Sequence, residues 1–363
     1  MNKSGTTSTF LKPLLLSFLI LLGVPVLIVM FAVETAGAGG SRAGLPLLYG
    51  LAGAGTVIGY GVFRQVTKRF RRRFRELIEG MGALLEGDRD MLRGRIADRS
   101  RDEFGELGAA FNELQDYLSR QYADLERELQ LACRLQSSLL PGGYREAGGF
   151  AVAVDCKQTR MVGGDLFDIV PLGESRVAVV IGDVAGKGMP AALLMSGTMA
   201  LLRRELRAGG SAADVLTRTN RLMFGALQGK LFVTVGLAMF DREETAVQYA
   251  GAGHLPPYLL RGGAVEEGPV SSLPLGVLPG TAYRNHAIAF PPDSRLVLFT
   301  DGIVESDGPD GQMLGFERFE RLLGELPESE GLTEQVSSLM QAAAPSGDSR
   351  RADDRTIVIV SRQ

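Results

Sequence analysis

Four aspartates in the C-terminal half of the chain each stand in a short turn beside an apolar, strand-like run. They are Asp165 in Met-Val-Gly-Gly-Asp-Leu-Phe-Asp, Asp183 in Val-Val-Ile-Gly-Asp-Val-Ala-Gly-Lys-Gly, Asp301 in Val-Leu-Phe-Thr-Asp-Gly, and Asp353 in Arg-Ala-Asp-Asp-Arg-Thr before Ile-Val-Ile-Val. A carboxylate at a strand end is costly to bury unless a cation meets it, and four such ends can converge in a layered fold. That chemistry is a metal site. Its ligands would all be oxygen, which favours Mg²⁺ or Mn²⁺ over zinc or copper. Taken singly, each aspartate also has a plainer reading: Asp301-Gly302 as a turn and Asp353-Asp354 as a turn cap. Asp168 and Asp354 read equally well as supporting groups or as solvated carboxylates.

The remaining composition removes rival chemistries. Two histidines, His254 and His286, and two cysteines, Cys133 and Cys156, are too few and too scattered for a His-ligated metal, a His-based triad, a zinc cluster or a disulfide framework. Such cysteine usage is compatible with a reducing compartment, and His254 reads as a donor that fixes a loop rather than as a ligand. Gly182-Asp-Val-Ala-Gly-Lys-Gly188 has three residues where a phosphate-binding P-loop has four, and glycine where Ser or Thr would hold Mg²⁺. An NTPase is therefore excluded. With 363 residues, 45% of them apolar and 22% charged, the chain has room for two or three folded domains.

Those domains are preceded by two apolar stretches, residues 14–33 and 45–63, without internal charge. Each comes close to the roughly 20 residues that span a bilayer, and both are read as transmembrane helices. The first is longer than the roughly 7 to 15 residues of a cleaved signal core. The net charge of −3 hides seven Arg or Lys between residues 64 and 75. Directly after an apolar span this run reads as a membrane flank rather than a nucleic-acid patch, and together with Lys3 and Lys12 it places both ends of the anchor in the cytoplasm. The expectation is a multi-pass protein of the cytoplasmic (inner) membrane, with residues 1–63 as anchor. The connection 34–44 is too short for an external sensor domain. Gly55 and Gly59 have the small-xxx-small spacing of a helix contact, a candidate dimer contact.

Beyond the anchor, Phe63, Val66, Phe70, Phe74, Leu77, Met81 and Leu84 recur at the period of an amphipathic helix, with Gly87 as its stop. A polar connector, 88–101, leads to a second helix beginning at Asp102-Glu-Phe-Gly-Glu-Leu107, whose acidic first turn suits the helix dipole. This order, with Asp-Glu-Phe-Gly-Glu-Leu-Gly-Ala-Ala-Phe-Asn-Glu-Leu, resembles the HAMP signalling module over residues 64–117, without the proline often found near the start of its first helix. The resemblance implies a parallel homodimer. Along Phe104, Leu107, Phe111, Leu114, Leu118, Tyr122, Leu125, Leu129 and Ala132 the steps alternate three and four except for two consecutive fours at Leu118 and Tyr122, a coiled-coil stutter. It falls where the module gives way to a coiled-coil linker, 118–140. Two readings stand, a joint that converts helix rotation into an output or a continuous helix drifting in phase. A histidine kinase output is excluded, since 118–140 contains no histidine.

From residue 141 onward, Val- and Ile-rich runs alternate with glycine-rich turns, predicting strands at 150–156, 176–182, 231–240, 245–250, 283–290, 295–300 and 355–361, and helices at 189–207 and 211–227. Runs of strands with grouped helices point to an α+β layered architecture. The four aspartate motifs, the segment Cys133-Arg-Leu-Gln-Ser-Ser-Leu-Leu-Pro141 and Ala252-Gly-His-Leu-Pro-Pro257, in this order, resemble the metal-dependent type 2C protein phosphatases of the SpoIIE and RsbU branch over about 128–363. The resemblance implies two antiparallel sheets packed together and flanked by helices, with two Mn²⁺ or Mg²⁺ ions at one end. By position, Asp183 would bridge both ions beside the backbone carbonyl of Val184, Asp165 would bind on one side, and Asp301 and Asp353 would hold the other ion. It further implies hydrolysis of phosphoserine or phosphothreonine on a regulatory protein such as a STAS-domain anti-anti-sigma factor. The alternative is a catalytically silent scaffold that binds partner-switching regulators.

Overall fold

The computed structural model describes residues 11–37, 45–86, 95–96, 102–227, 230–307, 311–344 and 353–363. It divides into two compact units, Met1–Glu126 and Arg127–Gln363. The first holds helices α1 (Leu11–Gly37) and α2 (Leu45–Glu86) and the first turns of α3 (Glu103–Leu139). Among the described residues no helix is long and apolar enough to cross a membrane. The expectation of two transmembrane helices is therefore not supported. The apolar segment 45–63 is only the first part of a 42-residue helix that runs without interruption into the arginine-rich segment. Gly55 and Gly59 face α1 of the same chain: a Cβ at Gly59 would stand 3.2 Å from the Leu21 backbone, so this small-residue spacing serves an intrachain contact.

The helix pair expected after the arginine-rich run is present. Phe70 meets Phe104 edge to face at 5.1 Å between centroids. Arg73 pairs with both carboxylate oxygens of Asp102 at 2.7 Å. Asp102 also accepts the Gly105 N–H and so caps α3 at the predicted start. Of the connector 88–101, residues 95 and 96 are described, and the Asn112 side chain holds both backbone groups of Ile96 at 3.0 Å. Gly87 lies outside the described residues. Helix α3 continues unbroken through the stutter to Leu139.

The second unit is a sandwich. One sheet has the order β1 (Tyr144–Ala147), β2 (Phe150–Lys157), β11 (Arg355–Arg362), β10 (Arg295–Phe299), β7 (Tyr258–Arg261), β8 (Ala264–Glu267). The other has β3 (Leu166–Pro171), β4 (Arg176–Val184), β5 (Val233–Asp241), β6 (Ala246–Ala252), β9 (His286–Ala289). Every pairing of neighbouring strands is antiparallel.

Alternate residues of each central strand enter different cores. Val177, Val179 and Ile181 of β4 meet Phe150, Leu298 and Val358 of the facing sheet. Ala178 and Val180 point outward onto helices α4 (Met189–Arg207) and α5 (Ala212–Leu227), through residues such as Met195, Met199 and Leu216. On the opposite face, Val297, Phe299, Ile357 and Ile359 pack on α7 (Gly315–Gly324) and α8 (Leu332–Ala342), through Phe319, Leu323, Val336 and Leu339. A single turn, α6 (Asp301–Val304), follows β10. The central strands are thus buried on both faces, and their sequences read as continuous apolar runs rather than alternating ones.

Candidate metal centre

Three of the four aspartates leave the ends of central strands. Asp183 lies at the end of β4, Asp301 opens α6 directly after β10, and Asp353 precedes β11. Asp183 and Asp353 line one cleft with Arg160, Gly164, Lys187 and Asp354. Burial, with the charges of Asp301 and Asp353 beside it, pushes the Asp183 carboxyl up to about 7. Burial and Asp353 raise Asp301 as well, and the Lys187 ammonium opposes that rise. Lys187 Nζ stands 2.8 Å from Asp353 Oδ2, a protein cation on one arm of the cluster.

Asp165 is held differently. It is buried, and its Oδ2 accepts from Thr300 Oγ1 at 2.8 Å and from Thr356 Oγ1 at 2.6 Å, two hydroxyls on adjacent strand ends. Burial and the Asp183 charge raise its pKa well above the ordinary range.

Among the described residues, no group of three or more His, Cys, Asp or Glu side chains is arranged to hold a metal ion. The donor chemistry nonetheless fits an oxygen-ligated divalent cation. So does the backbone, since a Cβ on Gly164 would stand 3.1 Å from Asp183 Oδ1 and 3.2 Å from the Val184 carbonyl oxygen, closing the space in front of both.

Around these groups lies a supporting lattice of long-range hydrogen bonds. Asp354 is buried, and its two oxygens accept from Thr159 N and Gly164 N at 2.8 Å each, which fixes the loop before Asp165. Its backbone carbonyl abuts Gly302, where a Cβ has no room. Asp168 turns away from the cleft to pair with Arg203 Nε at 2.5 Å. His254 sits one group below Asp183: its Nδ1 lies 3.1 Å from Thr234 Oγ1, which accepts the Asp183 N–H at 3.2 Å. Burial drops His254 to about 4, so the ring is neutral and buttresses Thr234. Sequence reasoning gave no role to Gln136, Thr300 or Thr356. Their signal was adjacency: both threonines stand beside or near an aspartate motif, and Gln136 lies in the Leu-Gln-Ser-Ser-Leu-Leu-Pro segment.

These carboxyls make a pH prediction. In the metal-free protein Asp183 keeps a proton up to about pH 7, whereas the unfolded chain releases it near the ordinary value of 3.8. The folded state then binds more protons between those limits, so its stability falls as pH rises through that window. In EDTA, the melting temperature is expected to drop from about pH 5 to about pH 8 more steeply in the parent than in Asp183→Asn. Parallel slopes in the two proteins would contradict the assignment.

Comparison with known proteins agrees with this architecture. The family Stage II sporulation protein E (SpoIIE) matches residues 173–363, and the HAMP domain family matches residues 66–120. Protein IcfG of Synechocystis sp. is 24% identical over 277 residues, covering 67% of this chain and 44% of that protein. Phosphoserine phosphatase RsbU of Bacillus subtilis is 25% identical over 258 residues, covering 70% of this chain and 76% of that protein. The chain thus spans under half the length of one of these relatives and about three quarters of the other. Among solved structures, the SiaA-PP2C domain of Pseudomonas aeruginosa superposes with a TM-score of 0.58 at 24% identity, covering 67% of this chain and 98% of that domain, which establishes the shared fold. With more than half of its residues matched and the two-sheet sandwich in place, the chain belongs to the SpoIIE family and carries a HAMP domain ahead of its type 2C phosphatase domain.

Proposed function

We propose that this protein is a metal-dependent serine/threonine protein phosphatase acting on a phosphorylated regulatory protein. The observation that carries the reading is the cleft in which Asp183 and Asp353 face Arg160 and Lys187. Acidic groups at its floor suit Mn²⁺ or Mg²⁺, and two such ions would be held by Asp165, Asp183, the Val184 carbonyl, Asp301 and Asp353. When bound, the ions would supply a water of lowered pKa and neutralise charge on the phosphoryl oxygens. The chain's own residues do the rest. Arg160 and Lys187 put positive charge at the cleft, where a phosphate monoester would enter. Gly164 leaves the approach to Asp183 open, and the Thr300 and Thr356 hydroxyls hold the Asp165 carboxylate in place.

The relative RsbU is named a phosphoserine phosphatase, which supports a phosphoserine substrate; the regulatory protein proposed is a phosphorylated STAS-domain anti-anti-sigma factor. Exposed apolar residues on α1 and α2, among them Leu27, Met30, Val33, Val57 and Ile58, support attachment to the cytoplasmic membrane, followed by the basic run as its cytoplasmic flank. Leu114, Tyr122 and Leu125 are exposed along α3, which supports a parallel homodimer through the HAMP and linker helices. The domain division is anchor 1–63, HAMP 64–117, linker 118–140 and phosphatase 141–363.

The test is phosphate release by the full chain from a serine-phosphorylated STAS protein, with and without Mn²⁺. Release that requires Mn²⁺ is the expected result. A protein that binds Mn²⁺ and the phosphoprotein yet releases no phosphate would instead be a signalling scaffold.

A further inference from the structure

The end of the sandwich remote from the metal centre holds a second cleft. Strand β10 runs from Arg295 toward Asp301, β11 runs from beside Asp353 to Arg362, and Arg295 lies opposite Ser361 in the register. At about 3.3 Å per residue, the eight residues of β11 set this end roughly 20 Å from the acidic cluster. The cleft there has a volume of about 630 Å³, a size that suits a small molecule, and its walls come from the start of β10, the end of β11 and the first turn of α8.

Three side chains that line this cleft are buried yet incompletely bonded. Ser294, Arg295 and Gln335 are 0%, 9% and 1% exposed, and Ser294 Oγ, Arg295 Nη1 and Gln335 Oε1 have no hydrogen-bond partner among the described residues. The Gln335 amide is fixed in orientation, since its Nε2 donates to the carbonyls of Pro327 at 2.9 Å and Glu330 at 3.0 Å. Its Oε1 is thereby left as an acceptor. Arg295 Nη2 stands 3.8 Å from Glu328 Oε1, a long ion pair whose Glu328 side chain is 64% exposed. A buried guanidinium with so weak a counter-charge is costly on its own. An anionic group on a ligand would supply the missing bonds of Arg295 Nη1 and Ser294 Oγ, and charge-assisted bonds of that kind are the strong ones. A simple anion is a poor occupant, because Glu328, Glu330 and Glu334 line the same walls. Like Gln335 Oε1, these carboxylates accept hydrogen bonds and call for a cationic donor.

We propose that this cleft binds a small zwitterion of the α-amino-acid class, with its carboxylate on Arg295 and Ser294 and its ammonium toward Gln335 Oε1 and the glutamates. The site is independent of the metal reading given above, so its test is run on the full chain in EDTA. L-Arginine, which brings a second cation to the acidic wall, is titrated calorimetrically beside acetate and methylammonium, each of which presents one half of the recognised group. L-Arginine is expected to bind, and each half-ligand to bind at least about tenfold more weakly, one net hydrogen bond being worth about one decade. Ser294→Ala is expected to weaken L-arginine binding about tenfold while the unliganded melting temperature stays at or above the parent value, because no hydrogen bond of Oγ is lost. Arg295→Gln removes the charge-assisted bond and should weaken binding about a hundredfold. If that variant does not fold, Ser294→Ala carries the comparison. Asp183→Asn, at the other end of the sandwich, should bind L-arginine as the parent does. No binding of L-arginine at millimolar concentration, equal binding of either half-ligand, or parental affinity in Ser294→Ala overturns the proposal. Binding lost in Asp183→Asn but kept in Ser294→Ala would put the amino acid in the acidic metal cleft and overturn it as well.

Discussion

Asp183→Asn is expected to lower Mn²⁺-dependent phosphate release by about a thousandfold or more while making the metal-free fold more stable. The magnitude follows from the several kcal/mol that metal ions supply to charge stabilisation in such reactions, at about 1.4 kcal/mol per decade. Opposite signs for activity and stability arise from one fact. Asp183 is buried beside Asp301 and Asp353, so its charge is unfavourable in the folded protein until a cation arrives. Asparagine keeps the shape, and the backbone N–H to Thr234 Oγ1 does not depend on the side chain. Phosphate release and thermal unfolding in EDTA, measured on one preparation, read both effects. Activity within about tenfold of the parent would remove Asp183 from the metal centre. A variant less stable than the parent in EDTA would contradict the electrostatic account.

Asp354→Ala is expected to destabilise the fold by about 3 kcal/mol and to weaken Mn²⁺ binding with it. Two N–H groups, Thr159 and Gly164, lose a charged acceptor at once, and the Gly164 bond is buried. An opposing effect exists, since the Asp354 charge adds to the repulsion felt by Asp165 and Asp183. It is the smaller one, because burial and nearer charges dominate both shifts, whereas the hydrogen bonds are direct and short. Asp354→Asn removes the charge but keeps one acceptor oxygen, so about half the loss should return. Urea unfolding in EDTA supplies the numbers. A loss below about 0.5 kcal/mol in Asp354→Ala would show that the loop before Asp165 is held by something else.

The elements most legible in the sequence were those whose burial is complete. Strands β2, β4, β5, β6, β10 and β11 were expected within a few residues, because strands buried on both faces read as unbroken Val- and Ile-rich runs. Helix α4 matches its predicted span of 189–207, with Pro190 at its first turn. Strand β3 was missed because Asp168 interrupts its apolar run; Arg203, 35 positions away in the chain, supplies the charge that makes a carboxylate acceptable there. β1, β7 and β8 have four residues each, too few for a period to show. Helices α7 and α8 have apolar faces that become meaningful only against the sheet they cover. The apolar N-terminal stretches show the reverse limit: composition suggested two spans, while α2 runs through its apolar and basic segments alike.

The four aspartates were legible as a set because carboxylates beside glycine at strand ends have few purposes. What they touch was not. The Gly164–Asp354 bond joins residues 190 positions apart, and the Thr356–Asp165 bond joins residues 191 apart. By itself, then, the sequence determined the layered α+β class and the HAMP-like helix pair and suggested the oxygen-only donor set proposed above, since periodicity and residue chemistry are local properties. Tertiary structure alone decided that Asp168 pairs with Arg203, that Thr234 is the partner of His254, that Asp354 and Gln136 clamp one loop, and that Lys187 sits on Asp353, because hydrogen-bond partners and burial depend on which distant strand ends the fold brings together.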